Sequence, residues 1–131
     1  MALGITVFLM FTGQAEEAMQ FYVGLFPNSK VVAVERYGRD QAGPEGTIKK
    51  AEFILCGQRV MCIDSPITHD FGFTPAISLF VECKDEEEFQ RYYDALVRHG
   101  KVLMPVGDYG FSRKFAWVND RFGVSWQLNM R

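Results

Sequence analysis

Residues 15–31 read AEEAMQFYVGLFPNSKV, and residues 86–102 read EEEFQRYYDALVRHGKV. At a shift of 71 positions Glu16-Glu17 falls on Glu87-Glu88, Phe21-Tyr22 on Tyr92-Tyr93, Leu25 on Leu96, and Lys30-Val31 on Lys101-Val102. Each segment spaces its apolar residues by three and four, which is the pattern of a helix with one buried face. The first helix is expected over Ala15 to Phe26, with Ala18, Met19, Phe21, Tyr22, Leu25 and Phe26 inward. Glu16 and Glu17 in its first turn suit the positive end of the helix dipole. The second is expected from an Asp85 cap to about His99, with Phe89, Tyr92, Tyr93, Leu96 and Val97 inward. Asp85 and Glu88 make a capping box, and Gly100 supplies a C-terminal stop.

Working outward, each helix is flanked by the same set of strands. Ile5 to Phe11 (ITVFLMF) is an apolar run of strand length before the first helix. Lys30 to Tyr37 follows it, rich in β-branched residues. Gly38 to Gly46 is a polar loop, and Thr47 to Cys56 is the next strand. Gly57-Gln58 reads as a two-residue turn with glycine first, and Arg59 to Asp64 returns. That register pairs Cys56 with Arg59 and Cys62 with Phe53. It sets Cys56 and Cys62 on opposite faces, where no disulfide forms. After a connector, Ser65 to Thr74, the series restarts: strand Pro75 to Cys83, the second helix, then strands Val102 to Val106, Lys114 to Asn119 and Val124 to Met130. Each half reads β-α-β-β-β. The expected fold class is α+β, two βαβββ modules in one domain over residues 1–131. Module one covers about 1–66 and module two about 74–131.

Composition narrows the function. The chain has 131 residues, 48% apolar and 15% aromatic, enough for a filled core, a lined cavity or a subunit interface. Net charge is −2, and basic residues do not cluster beyond Lys49-Lys50, so no nucleic-acid partner is expected. No apolar run reaches membrane-spanning length. Met1 to Phe11 lacks a basic segment and a cleavage site, so no secretory signal is expected. Three cysteines without a CxxC pair fit a reducing, cytoplasmic setting.

AEEAMQFYVGLFPNSKV, FTPAISLFVEC and WVNDRFGVSWQLN together resemble the PhnB-like family, often labelled demethylubiquinone methyltransferase-like. That family lies in the vicinal-oxygen-chelate (glyoxalase, bleomycin-resistance, dioxygenase) superfamily. The resemblance covers nearly the whole chain, and it implies curved sheets around a cavity and a homodimer. It also implies positions where metal-dependent relatives carry His, Glu or Gln. Carried over, these fall near Val7, near Ala76 with Ser78 as neighbour, at Met61, and at Gln127 in DRFGVSWQ. Only Gln127 offers a ligating atom suited to a hard ion. No metal site and no other cofactor is expected. His69 lies in the connector, where it pairs with Asp70 or stays at the surface, and His99 closes a helix.

Strand alternation then selects a candidate ligand-binding set: Gln127, Ser78, Arg59, Glu52, Met61, Phe80 and Trp117. Ser125 and Asn129 share the face of Gln127, while Ile77, Leu79 and Val81 are assigned to the core. Apolar walls with a few polar groups suit a small ligand; a cavity filled by Met61, Phe80 and Trp117 is the other outcome of the same pattern. Tyr37, Phe71, Phe73, Tyr109, Phe111 and Trp117 either close over a planar ligand or bury in a dimer interface. Arg113 and Lys114 serve an anionic substrate or form a solvated pair. The reading favoured is a small-molecule-binding protein without a classical metal site, its ligand unidentified. The alternative is a metal-assisted lyase, isomerase or transferase, or proton-transfer chemistry on Glu52 or Glu82, so whether the chain is an enzyme stays open and no catalytic residue is assigned. Methyl transfer is disfavoured, because the chain has no G-x-G-x-x-G and no Rossmann series.

Overall fold

The computed structural model describes residues 2–131, in two compact units that divide between His69 and Asp70. The first holds β1 (Val7–Phe11), α1 (Ala15–Leu25), β2 (Lys30–Arg36), β3 (Ile48–Leu55) and β4 (Gln58–Asp64). The second holds β5 (Leu79–Glu82), α2 (Glu86–Val97), β6 (Lys101–Gly107), β7 (Lys114–Asn119) and β8 (Ser125–Met130). Their sheets run in the orders β1-β4-β3-β2 and β5-β8-β7-β6. In each, the first strand pairs parallel with the last and the other neighbours are antiparallel. Both units are thus βαβββ modules with mixed sheets, as the repeat implies. The shift of 71 holds for Ala15 onto Glu86 and Lys30 onto Lys101. It falls to 66 for Ile48 onto Lys114, because residues 108–113 make a shorter loop than residues 37–47.

Alternation explains the packing. In the first unit Leu9, Phe11, Ala51, Phe53, Leu55, Val60 and Cys62 turn to one side and are buried, with Ala15, Ala18, Met19 and Tyr22 of α1. In the second, Ala116, Val118, Trp126 and Leu128 are buried with Phe89, Tyr92 and Leu96 of α2. Each large side chain so buried contributes roughly 1.5–3 kcal/mol of transfer free energy. Phe21, Leu25, Tyr93 and Val97, expected inward, reach only intermediate burial at the edges of these stripes.

Polar side chains tie the ends. Asp85 caps α2 by accepting from the Glu88 amide at 2.8 Å, and Glu88 reaches back to the Lys84 amide at 3.0 Å. For α1 the cap comes from across the sheet. Gln14 makes no capping hydrogen bond. Asp64, only 3% exposed at the end of β4, accepts from the amides of Gly13 (2.8 Å) and Ala15 (2.9 Å) through Oδ1. Its Oδ2 accepts from the amide of Ile48 at 2.9 Å. The hydroxyl of Tyr37 donates to its main-chain oxygen at 3.0 Å. A carboxylate at a helix N-terminus satisfies amides that lack intrahelical partners. Tyr37 is therefore a core residue, 5% exposed, and does not close over a ligand.

Three local expectations change. The β3–β4 turn is Cys56-Gly57, with φ of 49° and 85°, and Leu55 pairs with Gln58. Two successive positive φ values make a type I′ turn, whose twist suits a hairpin. Arg59 therefore pairs with Ile54 and Cys62 with Ala51. The register differs from the expected one by two residues, and with a side-chain period of two the faces survive. The fifth strand is shorter than Pro75 to Cys83, because the Ile77 amide bonds back to the Thr74 carbonyl and Pro75-Ala76 form a turn. Proline suits the second position of such a turn. Ile77, assigned to the core, is consequently 79% exposed. After α2 the left-handed residue is His99 (φ 58°), and Gly100 is required for space: a Cβ there would lie 2.1 Å from the Asn119 carbonyl oxygen.

The three cysteines are free. Burial pushes the thiols of Cys62 and Cys83 up to about 12, aided by the charges of Asp64 and Glu88 respectively. Cys56 is exposed, its amide donating to Ser29 Oγ at 3.2 Å. The thiolate is the reactive form, so raised values suppress reaction. A thiol reagent at mildly alkaline pH should therefore modify Cys56 quickly, and Cys62 and Cys83 only on unfolding; rapid modification of all three in the native protein contradicts this packing. Replacing Asp64 with Ala strips partners from three amides and should lower unfolding free energy by about 3 kcal/mol, read from urea denaturation.

Candidate functional site

The face of each sheet turned away from its helix carries the candidate residues. In the first unit alternation puts Phe8 and Met10, Glu52 and Ile54, and Arg59, Met61 and Ile63 on that face. Phe8 pairs with Met61, which pairs with Glu52, making a row across three strands. Arg59 grips Glu52 in a fork, Nη2 to Oε1 at 2.7 Å and Nε to Oε2 at 3.2 Å. Those hydrogen bonds, more than the bare charges, hold the Glu52 carboxyl below its usual range and Arg59 above its own. Glu52 is thus a weak base with both oxygens engaged, poorly suited to take a proton at neutral pH.

The second unit repeats the row with different chemistry. Phe80 pairs with Gln127, Gln127 with Trp117, and Trp117 with Met104. Gln127 Nε2 donates to Ser78 Oγ at 2.8 Å, and Trp117 Nε1 donates to the buried Ser125 Oγ at 2.8 Å. Asn129 Nδ2 donates to Glu82 Oε1 at 2.7 Å, and Arg131 meets Glu82 Oε2 at 3.1 Å. Next along this face, Phe115 receives the rings of Phe111 and Tyr109 at centroid distances of 4.9 and 5.8 Å. Among the described residues the buried side-chain atoms without a partner are Asn119 Oδ1 and Asn129 Oδ1.

The structure gathers Gln127, Ser78, Phe80 and Trp117 in one unit, and Arg59, Glu52 and Met61 in the other. Phe8 escaped the sequence reading, although parity with Met61 was the signal for it. Phe8 and Phe80 are each 54% exposed, unusual for phenylalanine on a paired strand. His69 Nε2 lies 3.0 Å from Ser65 Oγ. Arg113 Nε donates to the Arg131 carbonyl at 3.0 Å, and Lys114 Nζ sits 5.2 Å from the centre of the Phe89 ring.

The donor set tests the metal that the resemblance implies. Val7 shares the helix side with Leu9 and Phe11, so the open-face neighbour of Met61 is Phe8. Ala76 lies in the turn before β5, so the strand neighbour of Gln127 is Phe80. The four equivalent positions are therefore two phenyl rings, a thioether and one amide. Hard divalent ions require several oxygen or imidazole donors. Among the described residues no group of three His, Cys, Asp or Glu side chains comes together. These residues do not fit a divalent ion.

Comparison with known proteins agrees with the fold. The family model described as 3-demethylubiquinone-9 3-methyltransferase matches residues 3–129. The PhnB protein from Bacillus cereus is 53% identical, with a TM-score of 0.95 over 97% of this chain and 98% of that one. Protein YjdN from Escherichia coli K12 is 23% identical over 139 residues, 96% of this chain and 94% of its own. The fosfomycin resistance protein FosX from Listeria monocytogenes, solved with Mn(II) and a dihydroxypropylphosphonic acid, shares the fold alone. It is 10% identical with a TM-score of 0.63, covering 98% of this chain and 93% of that one. The chain belongs to the PhnB-like family described as 3-demethylubiquinone-9 3-methyltransferase, and it has the glyoxalase/bleomycin-resistance fold.

Proposed function

We propose that this protein binds a planar organic small molecule without the help of a metal ion. The observation that carries this reading is the row Phe80, Gln127, Trp117, in which a half-exposed aromatic ring stands beside an amide and an indole. An apolar surface with few oriented polar groups is what a small-ligand site requires. Gln127, Ser78, Phe80 and Trp117 form the binding face in the second unit. Arg59, Glu52 and Met61 form the candidate face of the first. Metal-assisted chemistry of the kind the manganese in FosX suggests has no matching donor set here. Homodimer formation is part of the proposal, supported by the exposed apolar residues Val32 and Val34 on β2 and Val102 and Val106 on β6. A cytoplasmic location accords with three free thiols. No helix of the described residues is long and apolar enough to cross a membrane.

Chelator-treated protein should keep ligand-induced stabilisation in a melting screen of aromatic metabolites, and Gln127→Ala should lower it. Millimolar Mn(II) or Mg(II) should move the melting temperature by less than about 1 °C. Stoichiometric metal retained through purification sinks the reading.

The family label suggests methyl transfer, which this topology does not favour. Nucleotide cofactors are commonly held at the strand ends of doubly wound parallel sheets, whereas each sheet here has a single parallel pair. Calorimetry with S-adenosylmethionine should detect no binding; micromolar affinity overturns this expectation.

A further inference from the structure

We infer that Tyr109 and Phe111 form an aromatic wall at one end of the second unit's open face, and that this wall selects fused-ring planar ligands over single rings. This rests on the reading of that face as the ligand site.

The wall follows from strand parity. Phe115 lies two residues from Trp117 on β7, so both side chains point to the open face, about 7 Å apart along the strand. Lys114 points the other way, its Nζ 5.2 Å from the centre of the Phe89 ring on α2. Phe115 is nonetheless only 3% exposed. Its cross-strand partner on β6 is Gly107, which has no side chain to cover it. The cover comes from the loop of residues 108–113. Tyr109 and Phe111 stand at 84° and 78° to the Phe115 ring, in edge-to-face geometry, with centroids 5.8 and 4.9 Å away. Tyr109 fills the space beside Gly107, where a Cβ would lie 3.5 Å from its ring.

The wall stands without a ligand to hold it. The Tyr109 hydroxyl donates to the Pro105 carbonyl at 2.6 Å, and Asp108 Oδ1 accepts from the Gly110 amide at 2.8 Å. Gly110 takes a φ of 92°, which glycine adopts without strain. Tyr109 and Phe111 stack nearly parallel, 19° apart with centroids at 6.3 Å. Phe111 still remains 62% exposed. A phenyl ring fixed in place and left in water offers stacking surface at little ordering cost.

The first unit lacks this feature. Met61 and Gln127 hold matching places in their sheets, so Glu52 matches Trp117, and the exposed Lys50 matches Phe115. The corresponding loop turns Tyr37 into the core instead. Only the row Phe80, Gln127, Trp117 therefore ends against aromatic rings. A single ring centred on that row stops short of Phe111, about two residues' rise away, and a second fused ring closes that distance.

Phenol and naphthol carry the same hydroxyl on one ring and on two. Calorimetry gives their affinities, and the shift of the Trp117 indole N–H resonance gives the site. Naphthol gains apolar contact on any surface, so the deciding readout is what Phe111→Ala does to each ligand. It should weaken naphthol by about fivefold, the worth of one aromatic pair, and phenol by less than about twofold. Phe111→Leu keeps Phe115 covered; it should hold the native melting temperature and lose part of the same advantage. If both ligands shift Trp117 and Phe111→Ala weakens neither, or both alike, the wall is overturned and the ligand face stands. Loss of self-association in Phe111→Ala by sedimentation velocity, with naphthol binding unchanged, assigns the two rings to a subunit contact and also overturns the wall. If neither ligand shifts Trp117, the ligand face fails and the wall with it.

Discussion

In each unit one helix dries one face of a four-stranded sheet and leaves the other without such a cover. Successive strand residues point to opposite sides. That single constraint sorts the chain into a packing set and an open-face set. Phe53, Val60 and Leu128 belong to the first, Glu52, Met61 and Gln127 to the second. Parallel pairing of the first strand with the last then places Phe8 beside Met61 and Phe80 beside Gln127. Equivalent sites in the two units follow from the pairing, and their chemistry follows from which residue each half supplies.

Buried carboxylates hold this arrangement at its corners. Asp64 joins the end of β4, the start of α1 and the start of β3 through three amides. Asp120, also 3% exposed, does comparable work in the second unit. It accepts from the amides of Phe122 and Val124 and from Trp126 Nε1 at 2.9 Å. The bonds from Gly13 and Ala15 to Asp64 stand in for a capping side chain that Gln14 does not supply. Gln14 illustrates the need, standing at a helix start without capping it.

The two open faces differ in what they can recognise. The first pairs the Phe8 ring and aliphatic and thioether surface with the Arg59–Glu52 ion pair. The second pairs aromatic surface with amides that hydrogen-bond Ser78 and Glu82. A fold that in FosX accompanies Mn(II) here presents Phe8 beside Met61 and Phe80 beside Gln127 on its open faces. The family label names a reaction, but fold and label do not carry chemistry without the residues for it.

Periodicity determined the βαβββ repeat, the two helices and the sidedness of β3, β4, β5 and β8, because these depend on spacing within a few residues. That Gln127, Phe80 and Trp117, and Arg59, Glu52 and Met61, lie on the faces turned from the helices was legible for the same reason. Parity survived even the hairpin error, since moving the turn to Cys56-Gly57 shifts register by two. What only the tertiary structure decided depends on groups distant in sequence. Phe8 became the neighbour of Met61 through pairing across 53 positions. Asp64 became a helix cap, and Gly100 became obligatory under the Asn119 carbonyl. The sense of the Asn129 amide was set by Glu82, 47 residues away. Hydrogen bonds and close contacts of that kind act through space, and no local pattern encodes which partner the fold will bring.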